Sequence, residues 1–192
     1  MKNILIINGH PNPHSFCYAL ANAYYKGASE TSTQVKLVHL THLQFDPVLQ
    51  FGYEKKMELE PDLVQIQKDI QNADHLVFVY PNWWGTMPAL LKGFFDRVFT
   101  PGFAFKYSEK SKFPEKLLKG RTARIIVTMD TPPWFNSLVF RSLGHRVTRN
   151  RILEFCGVKV DGITSLGPIK GSTLEDRQKW LVQVELLGMK LK

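Results

Sequence analysis

Two hydrophobic patterns take turns along this chain. Short unbroken apolar runs alternate with longer stretches in which apolar residues recur every third or fourth place. Asn3–Asn8 (NILIIN), His75–Tyr80 (HLVFVY) and Thr122–Thr128 (TARIIVT) are runs of the first kind, as expected of strands covered on both faces. Gln34–Leu40 alternates as a further strand, and Val158–Ser165 reads as a fifth. Between them lie helical spacings. Ser15–Lys26 carries Phe16, Ala19, Leu20 and Ala23 on one face, with Ser15 a good N-cap. Pro61 opens a helix ending near Ala73, with Leu63, Ile66 and Ile70 inward. Ala89–Phe99, a stretch within Asn136–Glu154, and Thr173–Leu191 complete the helices.

Five strands separated by helical segments predict a doubly wound α/β domain with a five-stranded parallel sheet and helices on both faces. The expected strand order is 2-1-3-4-5, and residues 1–192 are expected to form one domain. Residues 41–60 and 100–121 exceed ordinary connection lengths and read as long loops that could wall a site.

Three strands end in chemically unusual loops. The first gives Asn8-Gly9-His10-Pro11-Asn12-Pro13-His14-Ser15, which has neither a GxGxxG nor a Walker spacing. It still leads into a helix N-terminus, where free N–H groups and the dipole favour anions. His10 and Ser15 can add donors of their own; His10 and His14 lack a carboxylate or thiolate companion, so no metal is expected. The third strand breaks at Pro81 into Asn82-Trp83-Trp84-Gly85, and adjacent loop residues rarely both face inward, so one indole at least is expected to be exposed in the pocket. The fourth ends in Thr128-Met129-Asp130-Thr131, followed by Pro132, Pro133 and Trp134. Taken singly, the first and third of these also read as proline-stiffened turns. Together they meet at the carboxyl edge of the sheet, where open α/β sheets bind ligands. Two indoles beside backbone donors suit a flat conjugated ring, and a flavin uses such donors along its pyrimidine edge.

Composition bounds the rest. With 44% hydrophobic and 22% charged residues, the 192-residue chain is that of an ordinary globule, though 13 Phe and 4 Trp suggest a large apolar pocket or interface. Two cysteines, Cys17 and Cys156, give no disulfide framework and favour a reducing compartment, so a cytoplasmic location is expected. The N-terminus reads as a strand and not a signal peptide, and no apolar run is long enough for a membrane span. The net charge of +8 fits a solvated basic surface or the attraction of an anionic dinucleotide; no nucleic-acid signature accompanies it. There is no nucleophile elbow around Ser15 or Ser137. Tyr107 and His145 are the candidate catalytic groups in suitable segments.

The same residues carry a resemblance. The His10 and Ser15-Phe16 loop, the Asp46-Pro47 pair, PNWWGTMPALLKGFFDRVF (81–99), Gly102–Tyr107 and Ile152–Gly157 together resemble the flavodoxin-like NAD(P)H:quinone oxidoreductases, the DT-diaphorase type and its bacterial relatives. The resemblance implies that His10 and Ser15–Cys17 hold the cofactor's phosphates and that Pro81, Asn82, Trp83, Trp84 and Gly85 line the isoalloxazine. It implies FAD, or FMN as in some members, with NAD(P)H as co-substrate. Tyr107 matches a tyrosine that closes the pocket from the partner subunit of a homodimer. The implied reaction is ping-pong: hydride passes from NAD(P)H to flavin N5, then to a quinone or similar electron-poor aromatic. A regulatory flavin-binding subunit, as on potassium efflux systems, is the alternative; a flavodoxin-type electron carrier fits less well, because carriers are acidic and this chain has pI ≈ 9.5. The chain departs from the family at Thr128-Met129-Asp130-Thr131, where the usual Thr-Thr-Gly-Gly has lost both glycines, and it has no clear counterpart of the pocket histidine.

Overall fold

The three unbroken apolar runs form the centre of one sheet. The computed structural model describes residues 2–31, 34–52, 54–108 and 111–190. Strands β1 (Asn3–Asn8), β2 (Gln34–His39), β3 (His75–Pro81), β6 (Thr122–Thr128) and β7 (Lys159–Leu166) pair in parallel in the order β2-β1-β3-β6-β7. That is the expected 2-1-3-4-5 order among the sheet's own strands. The two extra numbers belong to an antiparallel hairpin, β4 (Phe105–Ser108) and β5 (Ser111–Lys116), which occupies part of the segment read as loop. Only Phe105 of β4 is buried, so the hairpin has no apolar alternation to betray it.

Side-chain alternation sorts the core onto two faces. Leu5, Ile7, Leu76, Phe78, Tyr80, Ile125 and Val127 pack under α2 (Pro61–Asn72) and α3 (Ala89–Val98). Ile4, Ile6, Val77, Val79 and Ile126 pack under α1 (Phe16–Ser29) and α7 (Leu174–Lys190). The expected last residue of that final helix, Leu191, lies outside the described residues. Between β6 and β7 the chain forms α4 (Pro133–Leu138) and α5 (Leu143–Arg146), a π-helical stretch (Val147–Leu153) and a last turn, α6 (Glu154–Cys156). Helix thus begins earlier here than its apolar spacing predicts, because Pro133 occupies a first-turn position where its missing N–H costs nothing. No helix among the described residues is long and apolar enough to cross a membrane.

The amino edge of the sheet holds a buried histidine. His75 is 2% exposed, with Nδ1 2.7 Å from Thr122 Oγ1 and Nε2 3.5 Å from the Tyr24 hydroxyl. Burial pushes its pKa down to about 4, against the pull of Asp161, 3.9 Å away, and with the push of Arg124. The unfolded chain therefore takes up a proton near pH 6.5 that the native state refuses until about pH 4. Stability is complete above the first value and falls as pH drops toward the second. We expect the unfolding free energy to lose roughly 2–3 kcal/mol between pH 7.5 and 4.5 through this group, and His75→Gln to remove that share. Urea titrations of both proteins at the two pH values measure it; an unchanged pH slope in the variant would assign the loss to other groups.

Candidate flavin-binding site

The carboxyl ends of β1, β3 and β6 carry the three loops to one cleft. In the first, a short relay of side chains shapes the backbone: Asn8 Oδ1 accepts from the His10 N–H at 3.2 Å, and Asn12 Oδ1 accepts from the His14 N–H at 2.8 Å. The Asn12 N–H in turn donates to His10 Nδ1 at 2.9 Å. An acceptor at Nδ1 leaves the neutral ring's proton on Nε2, so His10 offers one N–H donor without a charge. Burial lowers its pKa and keeps it neutral. Ser15 caps α1 by accepting from the Tyr18 N–H at 3.3 Å, and its hydroxyl proton stays free to donate. The Phe16 and Cys17 N–H groups at the first turn have no intrahelical acceptor. Cys17 contributes through its backbone, because its thiol is buried against Thr128 Oγ1 at 3.2 Å and pushed up to about 12 by burial.

The second loop is a tight turn. Trp83 and Thr86 exchange two hydrogen bonds, 2.8 Å and 3.0 Å, and both central residues have positive φ, 51° at Trp84 and 79° at Gly85. These are the signs of a type I′ turn, which ordinarily takes Asn-Gly. A tryptophan held in the left-handed region costs about 1–2 kcal/mol, and such strain collects where a site needs a particular geometry. Its effect is to hold Trp84 wholly in solvent, at 103% relative exposure, while the half-exposed Trp83 meets His10 edge to face at 5.3 Å. The Asn82 N–H is spent on Thr128 O and the Trp83 N–H on Thr86 O, so Trp84 and Gly85 carry the turn's free donors.

The third loop is locked to the segment after β7. Met129 and the chain at Leu166 and Ile169 exchange backbone hydrogen bonds of 2.9 and 3.0 Å, and Asp130 Oδ1 accepts from the Lys170 N–H at 2.7 Å. Met129 turns its side chain into the core. Of the two residues that stand where the family has glycines, Asp130 is thus tied to the segment after β7.

These loops bring nine of the expected cofactor residues around one cavity of about 150 Å³: His10, Phe16, Cys17, Pro81, Asn82, Trp83, Thr128, Met129 and Asp130, with Ile169 added from beyond β7. Ser15, Trp84, Gly85 and Thr131 do not line it. The donor set fits a flavin: uncharged N–H groups for phosphate at a helix start, and indole faces for the ring. Neither candidate catalytic residue joins this cavity. Tyr107, exposed on the hairpin, borders an apolar groove with Phe95, Phe99, Phe105 and Phe155. His145 is buried on α5, where burial lowers its pKa, and lines a separate cavity with Arg146 and Arg149.

Sequence reasoning missed the support behind the tryptophan turn. A Cβ on Gly144 would stand 2.2 Å from the Gly85 carbonyl oxygen, so α5 lies backbone to backbone against that turn. The Thr148 hydroxyl ties the next turn to the Gly144 carbonyl at 3.1 Å and lies 2.9 Å from the Tyr80 hydroxyl on β3. The only sequence signal was a lone glycine inside a helical pattern.

Known proteins share this fold. The chain is 34% identical to Smu.1420 from Streptococcus mutans UA159, whose crystal structure superposes with a TM-score of 0.85 over 98% of this chain and 99% of that one. It is 32% identical to an uncharacterized NAD(P)H oxidoreductase of Haemophilus influenzae, over 82% of this chain and 79% of the relative. Against NAD(P)H dehydrogenase [quinone] 1 of Cavia porcellus it is 33% identical over 60% of this chain, and the match spans half the length of that protein. A family model described as a flavodoxin-like fold matches residues 2–184. With the family model matching residues 2–184 and a solved structure superposing over nearly the whole chain, this protein belongs to the flavodoxin-like fold family.

Proposed function

We propose that this protein is a flavin-dependent NAD(P)H oxidoreductase that reduces a quinone or a similar electron-poor aromatic. The observation that carries the proposal is the pairing, in one cleft, of uncharged phosphate donors with the half-exposed Trp83 indole. His10, Phe16 and Cys17 line the cleft with Trp83, while Trp84, next along the turn, stands free in solvent. When bound, a flavin supplies the hydride relay between the nicotinamide and the quinone, in two separate half-reactions at one face. The chain's part is to hold and orient. The α1 amides and His10 fix the phosphate; the free Trp84 and Gly85 N–H groups donate to the ring's polar edge; the indoles keep the stacking face flat and partly dry. FAD is the cofactor in this reading, and a second copy of the chain completes the pocket with Tyr107 from its own hairpin. A cytoplasmic location goes with it, since both cysteines are free.

The test is spectroscopic. Protein as purified, or after incubation with FAD or FMN, is expected to show flavin absorption that bleaches with NADPH under anaerobic conditions and returns on adding a quinone. Chromatography of the released cofactor separates FAD from FMN. A protein that is colourless and gains no flavin on reconstitution overturns the proposal, and bleaching that no quinone reverses would favour the regulatory subunit.

A further inference from the structure

A second cavity, of about 550 Å³, lies between α4, α5, the π-helical stretch and Ile163 and Ser165 of β7. Its polar lining is one-sided. Arg146, Arg149 and Asn150 reach it from one wall, and Ser137 and Ser165 from the others, with no carboxylate among the lining residues. His145, 6% exposed, also borders it, and its Nε2 is buried without a hydrogen-bond partner. Among the described residues the Arg146, Asn150, Ser137 and Ser165 side chains make no hydrogen bond or ion pair within the protein. Arg149 spends only Nε, on Glu154 at 2.8 Å, which leaves its two terminal nitrogens free. A set of unpaired donors around a roomy, carboxylate-free cavity is built for an anion with several oxygens, and two guanidinium forks match a phosphate monoester. Pro133 and Ile163 supply an apolar flank that suits a purine.

The position narrows the ligand. Asp130 lines the flavin cleft and Pro133 lines this cavity, so only two residues lie between them, at most about 10 Å of chain. On the other strand, Ser165 and Ile169 bracket the same step. A dinucleotide whose nicotinamide stacks in the cleft can lay its adenosine end here. We propose that this cavity binds the 2′-phosphate of NADPH and makes the protein select NADPH over NADH; this rests on the NAD(P)H reading above. Arg146 and Arg149 are then specificity residues, and neither touches the reacting atoms.

Calorimetric titration of the purified protein with 2′,5′-ADP, 5′-AMP and inorganic phosphate tests this without any turnover. Wild type is expected to bind 2′,5′-ADP about tenfold or more tighter than 5′-AMP, as charge-assisted hydrogen bonds to one phosphate provide. Arg146→Ala/Arg149→Ala is expected to bring the two affinities together. Both side chains are exposed and the one pair lost, Arg149–Glu154, lies at the surface, so the variant should fold; circular dichroism checks it. Equal affinities in wild type, discrimination that survives in the double variant, or inorganic phosphate binding as tightly as 2′,5′-ADP would each overturn the assignment. Flavin content, read from the same samples, scores the proposed function separately. In an active holoenzyme the double variant raises KM for NADPH with little change in kcat, which a general structural fault would not do.

Discussion

Arg97→Met should destabilise this protein more than any other single replacement of a charged residue, by about 3 kcal/mol or more. The guanidinium is fully buried at the end of α3 and is surrounded by acceptors from a different part of the chain. Its Nη1 donates to the Asp46 carbonyl and, at 3.2 Å, to Glu60 Oε1; its Nη2 donates to Glu58 O and Glu60 Oε2, both at 2.8 Å. Glu60 Oε1 also takes the Asp46 N–H at 3.0 Å, and these contacts hold its carboxyl below the usual range despite the opposing cost of burial. One side chain therefore closes both ends of the long connection between β2 and α2 against α3. Methionine fills similar volume but leaves a carboxylate and two carbonyls without their donors, and unmet groups cost more than the pair contributed. Chemical denaturation reads the loss. Glu60→Gln in the Arg97→Met background should recover part of it, because the stranded charge goes; a loss below about 1 kcal/mol, or additivity of the two changes, would mean the connection is held by its apolar contacts alone.

Arg97 also marks where the sequence stopped being readable. Helical spacing places it inward, three residues after Phe94 and one before Val98, yet its charge argues for solvent. The conflict is resolved by carbonyls about 40 to 50 residues upstream, which no local pattern reveals. What was legible was whatever repeats or caps locally. The unbroken runs became β1, β3 and β6 at the sheet's centre, Ser15 capped α1, and the three strand ends met in one cleft because parallel strands all finish on the same edge. Two adjacent indoles implied that one at least would be exposed in the pocket; Trp83 lines the cleft, while Trp84, a left-handed residue in a two-residue turn, stands in solvent outside its lining. The hairpin was hidden because its first strand, β4, buries only Phe105. The split of the 133–156 region into short helices was hidden because Arg141 and Ser142 both take positive φ, which no residue type there announces. His145 could be picked out as titratable, but the arginine-lined cavity it borders depends on how α5 docks against β7.

The second large effect lies where α5 meets the tryptophan turn. Gly144→Ala should weaken flavin binding by about tenfold or more while costing about 1–3 kcal/mol of stability. The added methyl would meet the Gly85 carbonyl oxygen at 2.2 Å and its carbon at 3.1 Å, and both are backbone atoms, so no rotamer change relieves the clash. Either α5 or the tryptophan turn must move. The helix is tied to β3 through Thr148, whose hydroxyl lies 3.1 Å from the Gly144 carbonyl and 2.9 Å from the Tyr80 hydroxyl in the core. The turn is held by two short-range hydrogen bonds around a residue already strained at φ 51°. It is the weaker partner, and its displacement carries Trp83 away from His10 and redirects the free Trp84 and Gly85 amides. Destabilisation alone is controlled by Gly120→Ala. Gly120, at φ 86° and with open space around it, also resists a side chain, but it lies before β6 at the opposite edge of the sheet. Flavin titration well below both melting temperatures should find Gly120→Ala close to wild type and Gly144→Ala far weaker. If Gly144→Ala instead stays within about threefold of wild type while losing comparable stability, α5 is what yields, and the tryptophan turn keeps its shape without that helix behind it.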